Sequence, residues 1–349
     1  MRTAAAALTL SSTLLIGACA FGVGPTVTYH LPGIVTAPLG MPATDASTAF
    51  GQVFCATLTH VDPSHAEWGA CQDYLHTRVT EQPAPVGGIP AGWQVLIVGG
   101  IFSHCFEDRQ VYAFEQARAH LESAHQVRTH LLKVGSVDAP ERNAEVIAAY
   151  LKEHPGKYLA VGHSKGSVDL MVALQNHEVV RANVAAFVSV AGAISGSRLI
   201  DFGTDATIAG FRQAVRDSGL GNCRIENHGG IDSMRRDARH AFLRTWTPPA
   251  SLRTYSLVGV VDKDHTSKPL RSMWQLQATY SIDQDSQMVA EEAIVPGASF
   301  LGAANGDHWA LALPFSEHPN QTIRKKVDRN RYPRTALLEA IVRYVTSGT

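Results

Sequence analysis

The run Lys157-Tyr158-Leu159-Ala160-Val161-Gly162-His163-Ser164-Lys165-Gly166 constrains this chain more than any other stretch. A short apolar segment, bounded upstream by Pro155-Gly156, ends in Gly-x-Ser-x-Gly, and Val168, Met171 and Leu174 then recur every three residues. The first part has the length and composition of a buried strand, the second the spacing of a helix packed on a sheet. Joined without a linker, they need a sharp strand-to-helix turn with Ser164 at its tip. Glycines two residues to either side leave space that a Cβ would fill. Such a turn points the serine hydroxyl outward, and the free N–H groups of the helix N-terminus suit a developing oxyanion. Ser164 is the candidate nucleophile.

The chain has 349 residues, long enough for one large α/β domain with insertions or for two small domains. Its 30 basic and 31 acidic residues nearly balance, which argues against a nucleic-acid or polyanionic partner. Hydrophobic residues make up 45% and charged ones 17%, enough for a sizeable core. Residues 1–20 read as a leader: Arg2 is a minimal positive start, and Ala4 to Ile16 are apolar but too short to span a bilayer stably. Ile16-Gly17-Ala18-Cys19 resembles the lipobox of bacterial lipoproteins, in which the cysteine becomes the lipidated N-terminus. Ordinary cleavage after Ala18-Cys19-Ala20 is the alternative. Both readings predict export, and lipidation at Cys19 predicts a soluble domain tethered to the cell-envelope membrane. In an oxidising compartment the remaining Cys55, Cys71, Cys105 and Cys223 can form two bridges in three pairings. Local proximity favours Cys55–Cys71, leaving Cys105–Cys223; four unpaired buried thiols are the alternative.

Residues 21–90 are expected to form a tether rich in Gly, Pro and Thr, then a helical extension over 46–77 and a loop at 83–90. The core domain is expected over 91–349. Buried strands are predicted at Val95–Val98, Thr129–Val134, Ala185–Ala191, Tyr255–Val261 and Ala298–Ala303. Helices are predicted after Val111, over 140–154 and at the C-terminus, where Leu337, Leu338, Ile341, Val342 and Val345 share a face. Asp138-Ala139-Pro140-Glu141 carries a capping-box pattern with Pro in the first turn. Strands alternating with helices predict a mostly parallel, doubly covered sheet. Residues 195–250 exceed any ordinary strand–helix connection and read as a helical cap over the site, or else as a surface excursion.

The elbow resembles that of a hydrolase fold in which the nucleophile is followed in the chain by an acid and then a histidine. Tyr255 to Val261 run into Asp262-Lys263-Asp264, so Asp262, first beyond the strand, is the expected acid, with Asp264 its rival. Gly297 to Asp307 deliver His308 from a β-like run through a Gly-Asp turn, which makes His308 the expected base. His318 is a weaker substitute, and His104 and His265 fit the position less well. The expected oxyanion donors are the backbone N–H groups of Lys165 and of Ile101 in the loop Gly99-Gly100-Ile101-Phe102, with Phe102 next after Ile101. The Lys165 side chain is expected to be a surface charge, or else to favour anionic acyl groups.

With elbow, acid, base and oxyanion loop in register, residues 90–349 resemble the α/β-hydrolase superfamily, and bacterial secreted esterases and lipases most of all. The resemblance implies an α/β-hydrolase fold with a helical cap insertion and a Ser164–Asp262–His308 triad. It also implies hydrolysis of a small-molecule or lipid ester through an acyl-enzyme, with no metal or organic cofactor. Acyl transfer or peptide hydrolysis on the same triad, or a non-catalytic envelope protein of this fold, are the alternatives.

Overall fold

The computed structural model describes residues 35–67, 69–76 and 87–347, so the leader, Cys19 and part of the expected 83–90 loop lie outside the described residues. Among the described residues, eight strands form the main sheet. From one edge it runs Thr44–Asp45, Ser299–Ala304, Arg253–Gly259, Val184–Val190, Lys157–His163, Trp93–Val98, Arg128–Leu132, with every neighbour parallel. Leu75–His76 pairs antiparallel with Ser299–Ala304, beside Thr44–Asp45 on the same edge. A mostly parallel sheet with strand order broken by crossovers is the α/β-hydrolase arrangement the sequence predicts.

The strands alternate between two cores, as a doubly covered sheet requires. Val95, Ile97, Leu159, Val161 and Val188 face one core; Leu96, Val98, Tyr158, Ala160 and Phe187 face the other. Helices Pro140–Glu153 and Lys165–Asn176 pack together and share the second core. Helices Ser47–Val61, Glu115–His125 and Arg334–Thr346 cover the first. The apolar face expected of the last helix is buried throughout, with Leu337, Leu338, Ile341, Val342 and Val345 all fully enclosed.

Three local features depart from the sequence reading. Asp138 does not cap helix Pro140–Glu153. Ala139 is its N-cap, and the Asp138 carboxylate instead takes Arg142 at 3.1 Å and the Asn227 amide at 2.7 Å. The segment expected as tether and extension contributes Thr44–Asp45 and Leu75–His76 to the sheet, and its helix Ser47–Val61 packs on the C-terminal helix. The region is therefore woven into the core: Phe50, Phe54 and Leu58 are enclosed there. The expected strand over 255–261 is Arg253–Gly259, ending before Val260.

Between strands Val184–Val190 and Arg253–Gly259 lie helices Thr204–Ser218, Gly229–Asp232 and Arg236–Leu243, the helical insertion expected over 195–250. Cys55 lies 5.3 Å from Cys71 between Cα atoms, and Cys105 likewise 5.3 Å from Cys223, each pair bridged as a disulfide. The second bridge joins the segment after the Gly99–Phe102 loop to the insertion. Among the described residues no helix is long and apolar enough to cross a membrane.

Candidate active site

Ser164 sits between the strand Lys157–His163 and the helix Lys165–Asn176, with φ 55° and ψ −126°. For a residue with a Cβ this is a strained conformation, costing on the order of 1–3 kcal/mol. The surroundings hold it there. Ser164 N–H donates to Val190 O at 3.1 Å, and Ser164 O accepts from Ser167 N at 3.1 Å and Ala193 N at 3.3 Å. Both flanking glycines are forced: a Cβ on Gly166 would run into the Val98 carbonyl, and one on Gly162 would lie 2.5 Å from Ser167 Cα. The turn predicted from Gly-x-Ser-x-Gly is present and over-determined.

His308 follows strand Ser299–Ala304, as expected, and is 2% exposed. Its acid partner is Asp285. His308 Nδ1–H donates to Asp285 Oδ2 at 2.7 Å, and His308 N–H donates to Asp285 O at 2.8 Å. With the proton on Nδ1, the lone pair belongs to Nε2. That nitrogen is buried without a hydrogen-bond partner among the described residues. Ser164 and His308 line one cavity together.

Neither Asp262 nor Asp264 reaches His308, which corrects the expected acid. Asp262 Oδ1 accepts from His265 N at 2.8 Å and from His265 Nδ1 at 2.9 Å, closing a local turn. Asp264 is tied through its backbone carbonyl to Arg271 at 3.4 Å. The cause is the early strand end. Val260 and Val261 still bond Ala304 O and Gln284 O, after which the chain leaves the site to form helix Arg271–Gln277. It returns at Gln284, which bridges to Val289 around a tight reversal with Ser286 at φ 85°. Asp285 is fully buried at that reversal, its Oδ1 taking Gln287 N at 2.9 Å and Met288 N at 2.7 Å. In the sequence Asp283-Gln284-Asp285-Ser286 is only a polar stretch, and an insertion between strand and acid leaves no spacing to read.

The other histidine candidates lie elsewhere. His318 Nε2 bonds Arg109 O at 3.0 Å, His104 Nδ1 bonds Ser136 Oγ at 2.5 Å, and His265 serves Asp262. His163 was not singled out by the sequence, yet its Nε2–H donates to His308 O at 3.1 Å and the two rings lie 4.7 Å apart. Burial, then the nearby His308, holds the His163 imidazole well below its ordinary pKa, so it stays neutral. It ties the elbow to the loop that carries His308.

The Gly99–Phe102 loop lies against Ser164. A Cβ on Gly100 would stand 2.9 Å from Ser164 Cβ, so only glycine lets this backbone come so close. Ile101 lines the cavity beside Ser164. Lys165 is the first residue of its helix, where the N–H has no intrahelical acceptor. Its side chain is neither a surface charge nor a substrate contact. It is fully buried, with Nζ donating to Asp169 at 2.7 and 3.0 Å, while Asn143 donates to the same carboxylate at 2.9 Å. Burial raises the Asp169 pKa, and Lys165 opposes that rise.

Two small adjoining pockets, or lobes, of about 20 and 30 Å³ share Ser164, Ile101, Phe211 and Gln287 in their linings. One is lined by His308, Trp309, Phe106 and Leu313. The other is lined by Leu199, Ile200, Met234, Met273 and Met288, mostly from the insertion and the Asp285 loop. Phe211 of helix Thr204–Ser218 stacks on Phe102 with centroids 3.9 Å apart, so the insertion roofs the site.

This sheet order, elbow and roofing insertion define an α/β-hydrolase with a serine at its elbow. No family model matches the chain, and no curated protein matches it. Among solved structures it is similar to the metagenomic carboxyl esterase MGS0156, with 31% identity, a TM-score of 0.75, and coverage of 92% of this chain and 98% of that one. The chain belongs to the same family as that esterase, within the α/β-hydrolase fold. Two lipases share the fold at lower identity. The mature lipase BlEst2 of Bacillus licheniformis has 19% identity, a TM-score of 0.51, and coverage of 65% of this chain and 89% of its own. Lipase 1 of Pelosinus fermentans has 10% identity, a TM-score of 0.55, and coverage of 74% and 99%.

Proposed function

We propose that the protein is a serine carboxylic-ester hydrolase that works through Ser164, His308 and Asp285. The observation that carries this reading is the Asp285 Oδ2 contact at 2.7 Å to His308 Nδ1, which leaves the opposite imidazole nitrogen unpartnered in the cavity that Ser164 lines. In the proposed reaction His308 Nε2 takes the Ser164 proton as Oγ attacks the ester carbonyl. Asp285 holds the tautomer and stabilises the imidazolium. The backbone N–H groups of Lys165 and Ile101 receive the oxyanion. His308 then protonates the departing alkoxide, and water, activated by the same imidazole, releases the acid and restores Ser164.

The kinship with a carboxyl esterase and the apolar two-lobed cavity support a small-molecule or lipid ester as substrate. The lipobox-like Ile16–Cys19 supports export with a lipid on Cys19, which incorporation of a labelled fatty acid, lost in Cys19→Ser, would test. For the catalytic reading, a fluorophosphonate should add once per chain, at Ser164. Ser164→Ala should escape labelling and lose at least about 10³-fold in kcat on p-nitrophenyl esters. Labelling at another serine, or a mutant within about tenfold of wild type, would refute it.

A further inference from the structure

Gln287 sits where the two lobes meet, next to the nucleophile, and its side-chain Nε2 is buried with no hydrogen-bond partner among the described residues. The residue is only 7% exposed. A buried amide donor left unmade costs about 1–3 kcal/mol, so such a group is normally either paired or reserved for a ligand. Its backbone is held from two sides. Gln287 N–H donates to Asp285 Oδ1 at 2.9 Å, and Gln287 O accepts from Ser197 Oγ at 2.9 Å. The side chain therefore starts from a fixed point between the acid and the insertion.

The two lobes differ in what they offer. The lobe containing His308 must take the alcohol portion, because His308 protonates the leaving oxygen. The other lobe then takes the acyl portion. Its polar side chains besides Ser164 are Ser197, Thr207 and Gln287. Ser197 Oγ is used by Gln287 O and Leu199 N, and Thr207 Oγ1 by Leu199 O and Gly203 O. Gln287 alone among them carries an unused donor, in surroundings made by Met234, Met273, Met288 and Ile200.

We propose that Gln287 is a specificity-determining residue that donates a hydrogen bond to an acceptor oxygen in the acyl portion of the substrate, close to the scissile carbonyl. The preferred acyl groups are then apolar chains carrying one ether, hydroxyl or carbonyl oxygen near the ester, rather than plain alkyl chains. The assignment rests on the Ser164–His308–Asp285 reading above, which fixes which lobe is the acyl side.

The test uses three p-nitrophenyl esters of equal chain length: pentanoate, 3-methoxypropanoate and 2-ethoxyacetate. Each oxygen replaces one methylene, and rates of hydroxide-catalysed hydrolysis correct for intrinsic reactivity. After that correction the wild-type enzyme should favour at least one oxa-ester over pentanoate in kcat/KM by about three- to tenfold, the worth of one neutral hydrogen bond. Gln287→Met keeps the length and removes the amide. It should abolish that preference, bringing the corrected ratio of each oxa-ester to pentanoate to about one whatever the change in rate common to all three, and should not lower Tm. A corrected wild-type ratio near one for both oxa-esters overturns the proposal without needing any variant. So does a variant that loses all three esters equally. Failure of the underlying reading is seen separately, as activity retained in Ser164→Ala.

Discussion

Gly100 and Asp285 carry opposite lessons about single residues. Gly100 belongs to a loop that the sequence marked for backbone approach to substrate, and a Cβ there would press within 2.9 Å of Ser164 Cβ and 3.3 Å of His163 Nδ1. Gly100→Ala should therefore cost about 10²-fold or more in kcat while shifting Tm by only a few degrees. Equal activity would mean that the loop does not set the oxyanion geometry. Asp285 had no such mark. A strained turn at Ser286, a carboxylate capping two backbone N–H groups and a returning insertion are all products of tertiary packing. The rule that the acid follows its strand at once pointed to Asp262, which the chain spends on a local turn with His265. Ser164 follows its strand directly and His308 lies within four residues of the end of one, where local sequence and site coincide.

At the scale of elements, the strands and their helices could be read because buried parallel strands are short apolar runs and their helices carry one apolar face. The elbow was the clearest of these. Its glycines pack a helix onto a neighbouring strand end, and Gly166→Ala would drive a Cβ into the Val98 carbonyl. We expect that variant to lose several kcal/mol of stability or to fail to fold, measured by denaturant titration; a loss under about 1 kcal/mol would contradict the packing described. The insertion was read from its length and aromatic content as a helical cap over the site; only the particular contact, Phe211 stacked on Phe102, could not be read from local sequence. The Cys105–Cys223 bridge anchors that roof beside the Gly99–Phe102 loop. Cys223→Ser should raise KM and lower Tm by several degrees, with kcat changed less, since Ser164, His308 and Asp285, the proposed triad, lie on other elements. A loss confined to kcat would argue that the bridge positions the catalytic groups themselves.

Over the whole molecule, the N-terminal segment closes the sheet edge instead of leading up to it, which two-residue strands are too short to announce in a sequence. Its position also gives the fold a pH dependence. His76, on strand Leu75–His76, is pushed down to about 4 by burial, against a weaker opposing hydrogen bond with the Val260 backbone, and His163 is depressed as well. A depressed histidine is protonated in the unfolded chain before the folded one, so stability falls as pH drops from about 6.5 towards 4. For His76 alone the loss approaches roughly 3 kcal/mol by pH 4. Asp169 and Asp307, raised by burial, act in the opposite direction nearer the carboxylate range. Denaturant unfolding across this window should show the decline, and His76→Gln should flatten it. An unchanged slope would place the titrating group elsewhere.

The most direct test is a side-by-side measurement of kcat for Asp285→Asn and Asp262→Asn on one activated ester, with both variants shown to be folded. The Asp285 variant, which leaves the imidazole in the wrong tautomer, should fall about 10³- to 10⁴-fold, and the Asp262 variant should stay within about threefold of wild type. The reverse order, or equal mild losses, would contradict a site built on Asp285, His308 and Ser164.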